Sequence, residues 1–354
     1  MIRSGIMAAL EIGPVDGVSI LGGGTAFPAR VLGNEDVLRN LPANERARSE
    51  EALRFAAQGI EQTLGLKTRA WTHLVGTPID PREESTLDLA VPAARAALAD
   101  AGVGAGDLSM IACFTSTPHR MTSTVAGAVG AALGAKCACV DTRAGCASGI
   151  FALATAALYQ GSGAGPVLLV GTETFSKVVP PQSKMAAVSL GDGAGALVLG
   201  RRSSARLLSA FFETDGTLGK LISTDGSLPP TPEEIARGGY QLSGAPDELA
   251  QVIPGKYQTA LRGALARARL NAADIDLFVP HQTSRELIRK ISALIEMPLE
   301  KVFVNVDRHA NIGAAGWIVA LVEARAAGGC PPGTRLLLGA VGGGMSWGAA
   351  VLQC

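Results

Sequence analysis

Cys146 stands in Ala144-Gly-Cys-Ala-Ser-Gly149, after the short apolar run Cys137-Ala-Cys-Val140 and before an Ala-rich stretch that reads as a helix to about Tyr159. A thiol at a helix N-terminus feels the positive end of the backbone dipole, which favours thiolate, and the free N–H groups there can hold an oxyanion. The small flanking residues permit close approach of a ligand, so the environment suits a nucleophile; the competing reading is a buried structural cysteine. His281, in Val279-Pro-His-Gln-Thr-Ser284, follows a buried strand and precedes a helix beginning near Arg285. Its ring projects from a strand end, where acid–base chemistry and a satisfied core histidine both fit. Asn311 opens another helical segment, and a plain N-cap role accounts for an asparagine there without any chemistry. His309 reads as orienting its loop or packing, and His73 and His119 have no such context. Gly342-Gly-Gly344, before Met345-Ser-Trp-Gly348, reads either as a tight turn or as bare backbone that presents an N–H to a thioester carbonyl.

The elements that must position these residues repeat once, at a spacing of 166–168 residues. Residues 106–116 and 273–283 share a helix exit, a short buried strand and a polar loop. Residues 137–146 and 303–311 each lead from a strand through a loop into a helix. Val167-Leu-Leu-Val-Gly171 matches Arg335-Leu-Leu-Leu-Gly339, each followed by a glycine-rich run and a final apolar strand. Short apolar strands alternating with helical segments such as 85–101 and 149–159 predict an α/β fold with largely buried sheets. The junction falls near residues 200–205, giving an N-terminal half over residues 1–200 that carries the cysteine and a C-terminal half over residues 201–354 that carries the histidine and asparagine. Pseudo-twofold packing brings equivalent loops together, so the repeat nominates the loops bearing Cys146, His281 and Asn311 as one site.

Composition narrows the remaining classes. With 354 residues, 47% of them hydrophobic and 18% charged, the chain has material for a large core, which excludes disorder and small disulfide scaffolds. Thirty-one Lys and Arg balance 31 Asp and Glu, so no global basic field exists to hold nucleic acid or an anionic membrane. No apolar run is long enough to span a bilayer, and residues 5–10 are too short for a signal-peptide core; the chain reads as soluble and cytoplasmic. Six cysteines lie too far apart for a zinc ribbon, and five of them read as ordinary small apolar residues, so no metal is expected. Gly191-Asp-Gly-Ala-Gly195 is not a phosphate-binding fingerprint, and no other cofactor is called for.

The segments Gly22-Gly-Gly-Thr-Ala-Phe-Pro28, Gly65-Leu-Lys-Thr-Arg69, Ala144-Gly-Cys-Ala-Ser-Gly149, Leu190-Gly-Asp-Gly-Ala-Gly-Ala196, Val279-Pro-His-Gln282, Val306-Asp-Arg-His-Ala-Asn-Ile-Gly313 and Gly342-Gly-Gly-Met-Ser-Trp-Gly348 resemble the thiolase superfamily. Within it they resemble the β-ketoacyl-acyl-carrier-protein synthase III group, in family order and over nearly the whole chain. The resemblance implies a duplicated thiolase fold, five-layered α-β-α-β-α with pseudo-twofold symmetry, and a homodimer. It also implies a Cys-His-Asn triad of Cys146, His281 and Asn311, with the N–H groups of Cys146 and Gly343 as oxyanion donors. The implied reaction is ping-pong: Cys146 takes an acyl group, a malonyl- or β-ketoacyl-type thioester follows, and a Claisen condensation joins them.

Departures from the family pattern shape the expected substrates. Members that take acetyl-coenzyme A carry Trp and Arg before a Gly-Ile-Arg-x-Arg segment, whereas Ala57-Gln-Gly-Ile-Glu-Gln-Thr-Leu64 has neither. Lys184 stands where the family has an arginine, and Thr122 where a phenylalanine narrows the acyl pocket across the dimer. A pocket larger than acetyl size, and a place in polyketide or related specialised lipid biosynthesis, are therefore expected; extra residues before Val18 and at 44–51 agree with this. Acyl carrier protein or acyl-coenzyme A thioesters are the expected partners. Arg285 and Arg289, one turn apart with Lys290 adjacent, and Lys256, Arg262, Arg267 and Arg269 on a preceding helical stretch offer a basic face for an acidic carrier protein. The alternatives are an acyltransferase of the same fold that passes the acyl group to a hydroxyl or amine, and a non-catalytic partner in a heterodimer, which would generally lose the cysteine.

Overall fold

The computed structural model describes residues 9–42, 45–46 and 49–354; most of the short apolar run at 5–10, and Asn44 in the extra segment, lie outside these. Two arrangements of the same strand order build the molecule, the first of five strands and the second of four plus a bridge. In the first, Ala138–Asp141 and Val167–Thr174 flank Met110–Phe114 in parallel, and Asp192–Thr214 and Val15–Ala26 follow antiparallel. In the second, Leu277–Pro280 pairs in parallel with Arg335–Gly342, and Ser346–Gln353 and the distal part of Asp192–Thr214 follow antiparallel. The counterpart of the first edge strand is reduced to a single bridge between Phe278 and Val302.

The expected boundary at 200–201 falls inside the strand Asp192–Thr214. Residues 201–204, the Arg-Arg-Ser-Ser that interrupts the apolar pattern, are exposed at its middle. The strand thus serves as the fourth strand of one arrangement and the fifth of the other, because a strand needs only a backbone ladder, not apolar side chains, where it crosses solvent.

Side-chain alternation sorts the strands into layers. Ile111 and Cys113 pack with Leu168, Val170 and Ala196 under the helices Thr86–Ala101 and Val125–Leu133. Met110, Ala112 and Phe114 face the other way, into a core shared with Leu336, Leu338 and Ala350 of the second sheet. Between the two sheets lie the helices Ser148–Gly161 and Gly316–Ala326. Phe278, Leu337 and Val351 close the far side under Pro246–Ala268 and Arg285–Leu294. The order is therefore α-β-α-β-α. Sandwiched on both sides, residues 316–321 are all buried, which accounts for a helix apolar on every face. Among the described residues no helix is long and apolar enough to cross a membrane.

Candidate active site

Both middle-layer helices start at the same end of the molecule, and each is preceded by a turn bearing one of the singled-out residues. Cys146 lies two residues before Ser148–Gly161, on a turn whose Gly145 has φ +55°. The C-terminal hairpin presses on that turn: a Cβ on Gly342 would lie 2.3 Å from the Cys146 nitrogen, and one on Gly145 would lie 2.4 Å from the Gly343 nitrogen. Only bare backbone fits on either side, so the glycines expected to bring an N–H near the thiol do lie against it.

His281 leaves the end of Leu277–Pro280 and donates its backbone N–H to the Gly339 carbonyl at 2.8 Å, three residues before Gly342 on the strand that carries the hairpin. Its ring is buried, and its Nδ1 lies 3.8 Å from where a Cβ on Gly316 would sit. That nitrogen has no protein hydrogen-bond partner among the described residues. Asn311 does not cap the central helix directly: a short 3-10 turn, Gly313–Ala315, intervenes before Gly316–Ala326. Its Oδ1 accepts the Gly313 N–H at 2.9 Å, and among the described residues its Nδ2 makes no hydrogen bond. The amide therefore keeps two unused donors on a partly exposed residue.

The electrostatics reverse one expectation. Burial, reinforced by the Glu173 carboxylate, pushes the Cys146 thiol up to about 12 against the pull of its own backbone N–H. Loss of water costs the thiolate more than the helix terminus returns. Burial holds His281 down at about 4. Both shifts favour a thiol at Cys146 and a neutral imidazole at His281 over their charged forms.

Several further residues support the site from behind. The segment 188–191 backs Asn311, whose N–H bonds the Ser189 carbonyl at 2.9 Å and whose carbonyl accepts the Gly191 N–H at 3.0 Å. Arg69, fully buried, donates to the Val188 carbonyl at 2.6 Å, and Trp71 Nε1 donates to the Leu190 carbonyl at 3.0 Å. Burial lowers Arg69 to about 10, and its second partner is the neutral Asn34. Phe27 stacks on the His309 ring at 4.4 Å, and His309 Nε2 meets Glu323 at 2.7 Å, so His309 holds its loop as expected. Trp71 and Arg69 offered at most an Arg in a family-like segment as a signal.

The remaining residues expected to contact substrate lie at the surface. Thr122 is exposed on the loop before Val125–Leu133, and Lys184 is exposed in the first turn of Lys184–Ser189. Arg285 and Arg289 line an open groove of about 730 Å³ with Gln58, Glu61, Gln62 and Lys67. Neither forms an ion pair among the described residues, so pairing of Arg285 with Glu286 does not occur. The wider basic face divides: Arg262 donates to the Leu294 carbonyl at the other end of the Arg285 helix, Arg267 pairs with Glu11, and Lys256 lies 4.2 Å over the Trp347 ring. Helical spacing placed these residues on one stretch, but the three with partners turn in different directions, and Arg269 lies past the helix as its C-cap. Cys330 and Cys354 are both free, with sulfurs 3.1 Å apart.

A nucleophile-type turn, a strand-end histidine and an unpaired asparagine amide at the shared end of a duplicated five-layer fold define a condensing enzyme of thiolase type. Sequence models of 3-oxoacyl-[acyl-carrier-protein] synthase III match residues 140–216, and those of its C-terminal region match residues 265–354. A β-ketoacyl-[acyl-carrier-protein] synthase III of Bordetella petrii is 33% identical over 336 residues, covering 94% of this chain and 97% of that one. A synthase of the same name from Rhodospirillum centenum is 35% identical, covering 94% and 98%. Among solved structures, the 3-oxoacyl-[acyl-carrier-protein] synthase III of Aquifex aeolicus superposes with a TM-score of 0.83 at 30% identity, covering 96% of this chain and 100% of that one. The priming β-ketosynthase of the R1128 polyketide pathway gives 0.83 at 25% identity, covering 97% and 98%. The chain belongs to the β-ketoacyl-acyl-carrier-protein synthase III family and is an acyl-transferring condensing enzyme of that type.

The protonation states make one direct prediction. Alkylation of Cys146 by iodoacetamide should accelerate about tenfold per pH unit from pH 7 to pH 10 without levelling, because the thiolate fraction grows throughout. A plateau near neutral pH would mean that the thiolate is stabilised after all.

Proposed function

We propose that Cys146 is the acylated nucleophile and that His281 and Asn311 stabilise the enolate of the second substrate. The observation that carries this reading is the pair of unused polar groups: Asn311 has its oxygen engaged and its amide hydrogens free, and the buried His281 ring keeps an unpartnered nitrogen. In the first half-reaction the thiol sulfur attacks an acyl thioester, its proton leaves to the carrier thiol, and the N–H groups of Cys146 and Gly343 hold the transient oxyanion. In the second, a malonyl-type thioester loses carbon dioxide. The electron pair of the broken C–C bond becomes an enolate whose oxygen is held by neutral His281 and Asn311. The carbanion then attacks the acyl carbonyl, a new C–C bond forms, and the Cys146 thiolate departs and is reprotonated.

Cys146→Ala should abolish the mass increment from an acyl donor. His281→Ala and Asn311→Ala should still acylate but condense on the order of 10²-fold more slowly, as oxyanion-donor losses do. Normal product from both of these variants would remove the triad. An ester or amide as the sole wild-type product, read by mass spectrometry, would replace condensation with simple acyl transfer.

The same reading extends to the donor. Arg285 and Arg289, unpaired on the helix that follows His281, suit an acidic carrier protein, and the segment 57–64 lacks residues to stack an adenine. Carrier-bound acyl groups should outcompete their coenzyme A equivalents. Arg289→Glu should weaken transfer from carrier protein while sparing an N-acetylcysteamine thioester; equal losses with both donors would place the defect in the fold, and unchanged carrier kinetics would clear this face. A larger-than-acetyl primer fits Thr122 in place of an aromatic ring.

A homodimer completes this reading. Ala138–Asp141 is the outer strand of its sheet, with an unpaired backbone edge, and Val140 (41% exposed), Leu158 (49%) and Tyr159 (50%) surround it with apolar surface. A second copy pairing there would satisfy the edge and carry its own Thr122 toward a neighbouring pocket. Sedimentation should give about twice 36.1 kDa, and Val140→Lys should shift it toward monomer; a monomeric wild type would take Thr122 out of any acyl pocket.

A further inference from the structure

One buried charge near the site has no place in the steps above. Glu173, near the end of the strand Val167–Thr174, is 0% exposed. Its carboxylate accepts the Ser116 N–H at 3.0 Å, the Thr117 hydroxyl at 2.9 Å and the Thr115 hydroxyl at 3.2 Å, all from the loop after Met110–Phe114. From the other half of the molecule the turn at Gly313 and Ala314 faces it, and a Cβ on Gly313 would lie 3.0 Å from its Oε1. Gly313 is the residue whose N–H holds the Asn311 oxygen. One carboxylate therefore lies between the N-terminal half and the turn that presents the Asn311 amide.

We propose that Glu173 is a positioning residue of the condensation, holding the Asn311 turn against the nucleophile's half of the molecule. The proposal rests on Cys146 being the acylated thiol.

The surroundings leave that charge uncompensated. Thr115, Ser116, Thr117, Gly313 and Ala314 are all uncharged, Phe175 packs on Gly313, and no Lys, Arg or His bonds the carboxylate among the described residues. Cys146 is the titratable group that feels it. Burial, working against the Thr117, Ser116 and Thr115 hydrogen bonds, lifts Glu173 to about 7, so it exchanges its proton in the neutral range. The sign follows: ionised, Glu173 raises the thiol; protonated or replaced by a neutral group, it releases that hold, and more thiolate exists at a given pH. A glutamine is nearly isosteric, but its amide hydrogens would oppose the Ser116 N–H, so the Asn311 turn loses its anchor while the charge disappears.

Two activities should therefore move in opposite directions in Glu173→Gln. Iodoacetamide alkylation of Cys146 should shift to lower pH, with roughly tenfold faster reaction at pH 8, the factor that corresponds to about one pH unit. Condensation measured from pre-formed acyl-Cys146 should fall, in kcat more than in KM, by about tenfold or more. A purely structural role would depress both together and leave the alkylation pH profile in place, and that result would overturn the proposal. Thr117→Val is the second variant: it removes one donor, keeps the carboxyl protonated to higher pH, and should speed alkylation near pH 7.5 while converging on wild type above pH 9. A Thr117→Val profile superimposable on wild type throughout would also overturn it. The nucleophile assignment fails separately, through persistence of acylation in Cys146→Ala.

Discussion

The contact between the C-terminal glycine hairpin and the Cys146 turn is the constraint on which the site depends. Gly342 and Gly343 come from one half of the molecule, and Gly145 and Cys146 from the other. Their backbones meet at distances that admit no side chain, so the two repeats are locked in register where their loops converge. That single approach fixes where the Cys146 N–H points. Through the ladder from Gly342 back to Gly339 it also fixes where His281 leaves its strand.

The two middle helices make that approach possible. Ser148–Gly161 and Gly316–Ala326 lie between the sheets, so their residues must be small or apolar on all sides. Close packing is visible at Gly149, where a Cβ would lie 2.4 Å from Trp317 Nε1, and at Gly171, where it would meet Phe114 at 2.4 Å. The high glycine content thus serves thickness: it lets five layers close tightly enough for loops from opposite repeats to touch.

Burial is also what sets the chemistry. Loss of water favours the Cys146 thiol over its thiolate and the neutral His281 ring over its cation. A neutral imidazole can donate one hydrogen bond and accept another, which suits an enolate oxygen better than a permanently charged ring in equilibrium with a thiolate. The cost is a nucleophile that is harder to ionise. Arg69 and Trp71 bear on the same point from behind, because they pin the Val188 and Leu190 carbonyls on either side of Ser189, whose own carbonyl accepts the Asn311 N–H.

The repeated strand–loop–helix units, the alternating apolar strands and the glycine-flanked Cys146 were legible in the sequence, because side-chain periodicity and backbone permissiveness are local properties. The nomination of His281 and Asn311 rested on the repeat and on the family resemblance, since a histidine at a strand end and an asparagine before a helix each have ordinary explanations. Three things only the tertiary structure decided. The Arg-Arg-Ser-Ser stretch at 201–204 looked like a boundary, yet it is the exposed waist of one continuous strand, because pairing partners far along the chain complete its ladder. The basic residues from 256 to 269 looked like one face with Arg285 and Arg289, yet Lys256, Arg262 and Arg267 each turn to a different partner. The helix terminus promised a thiolate, yet desolvation and Glu173 outweigh it. Dipoles and spacings are written in neighbouring residues; desolvation and charge proximity exist only after distant segments have packed.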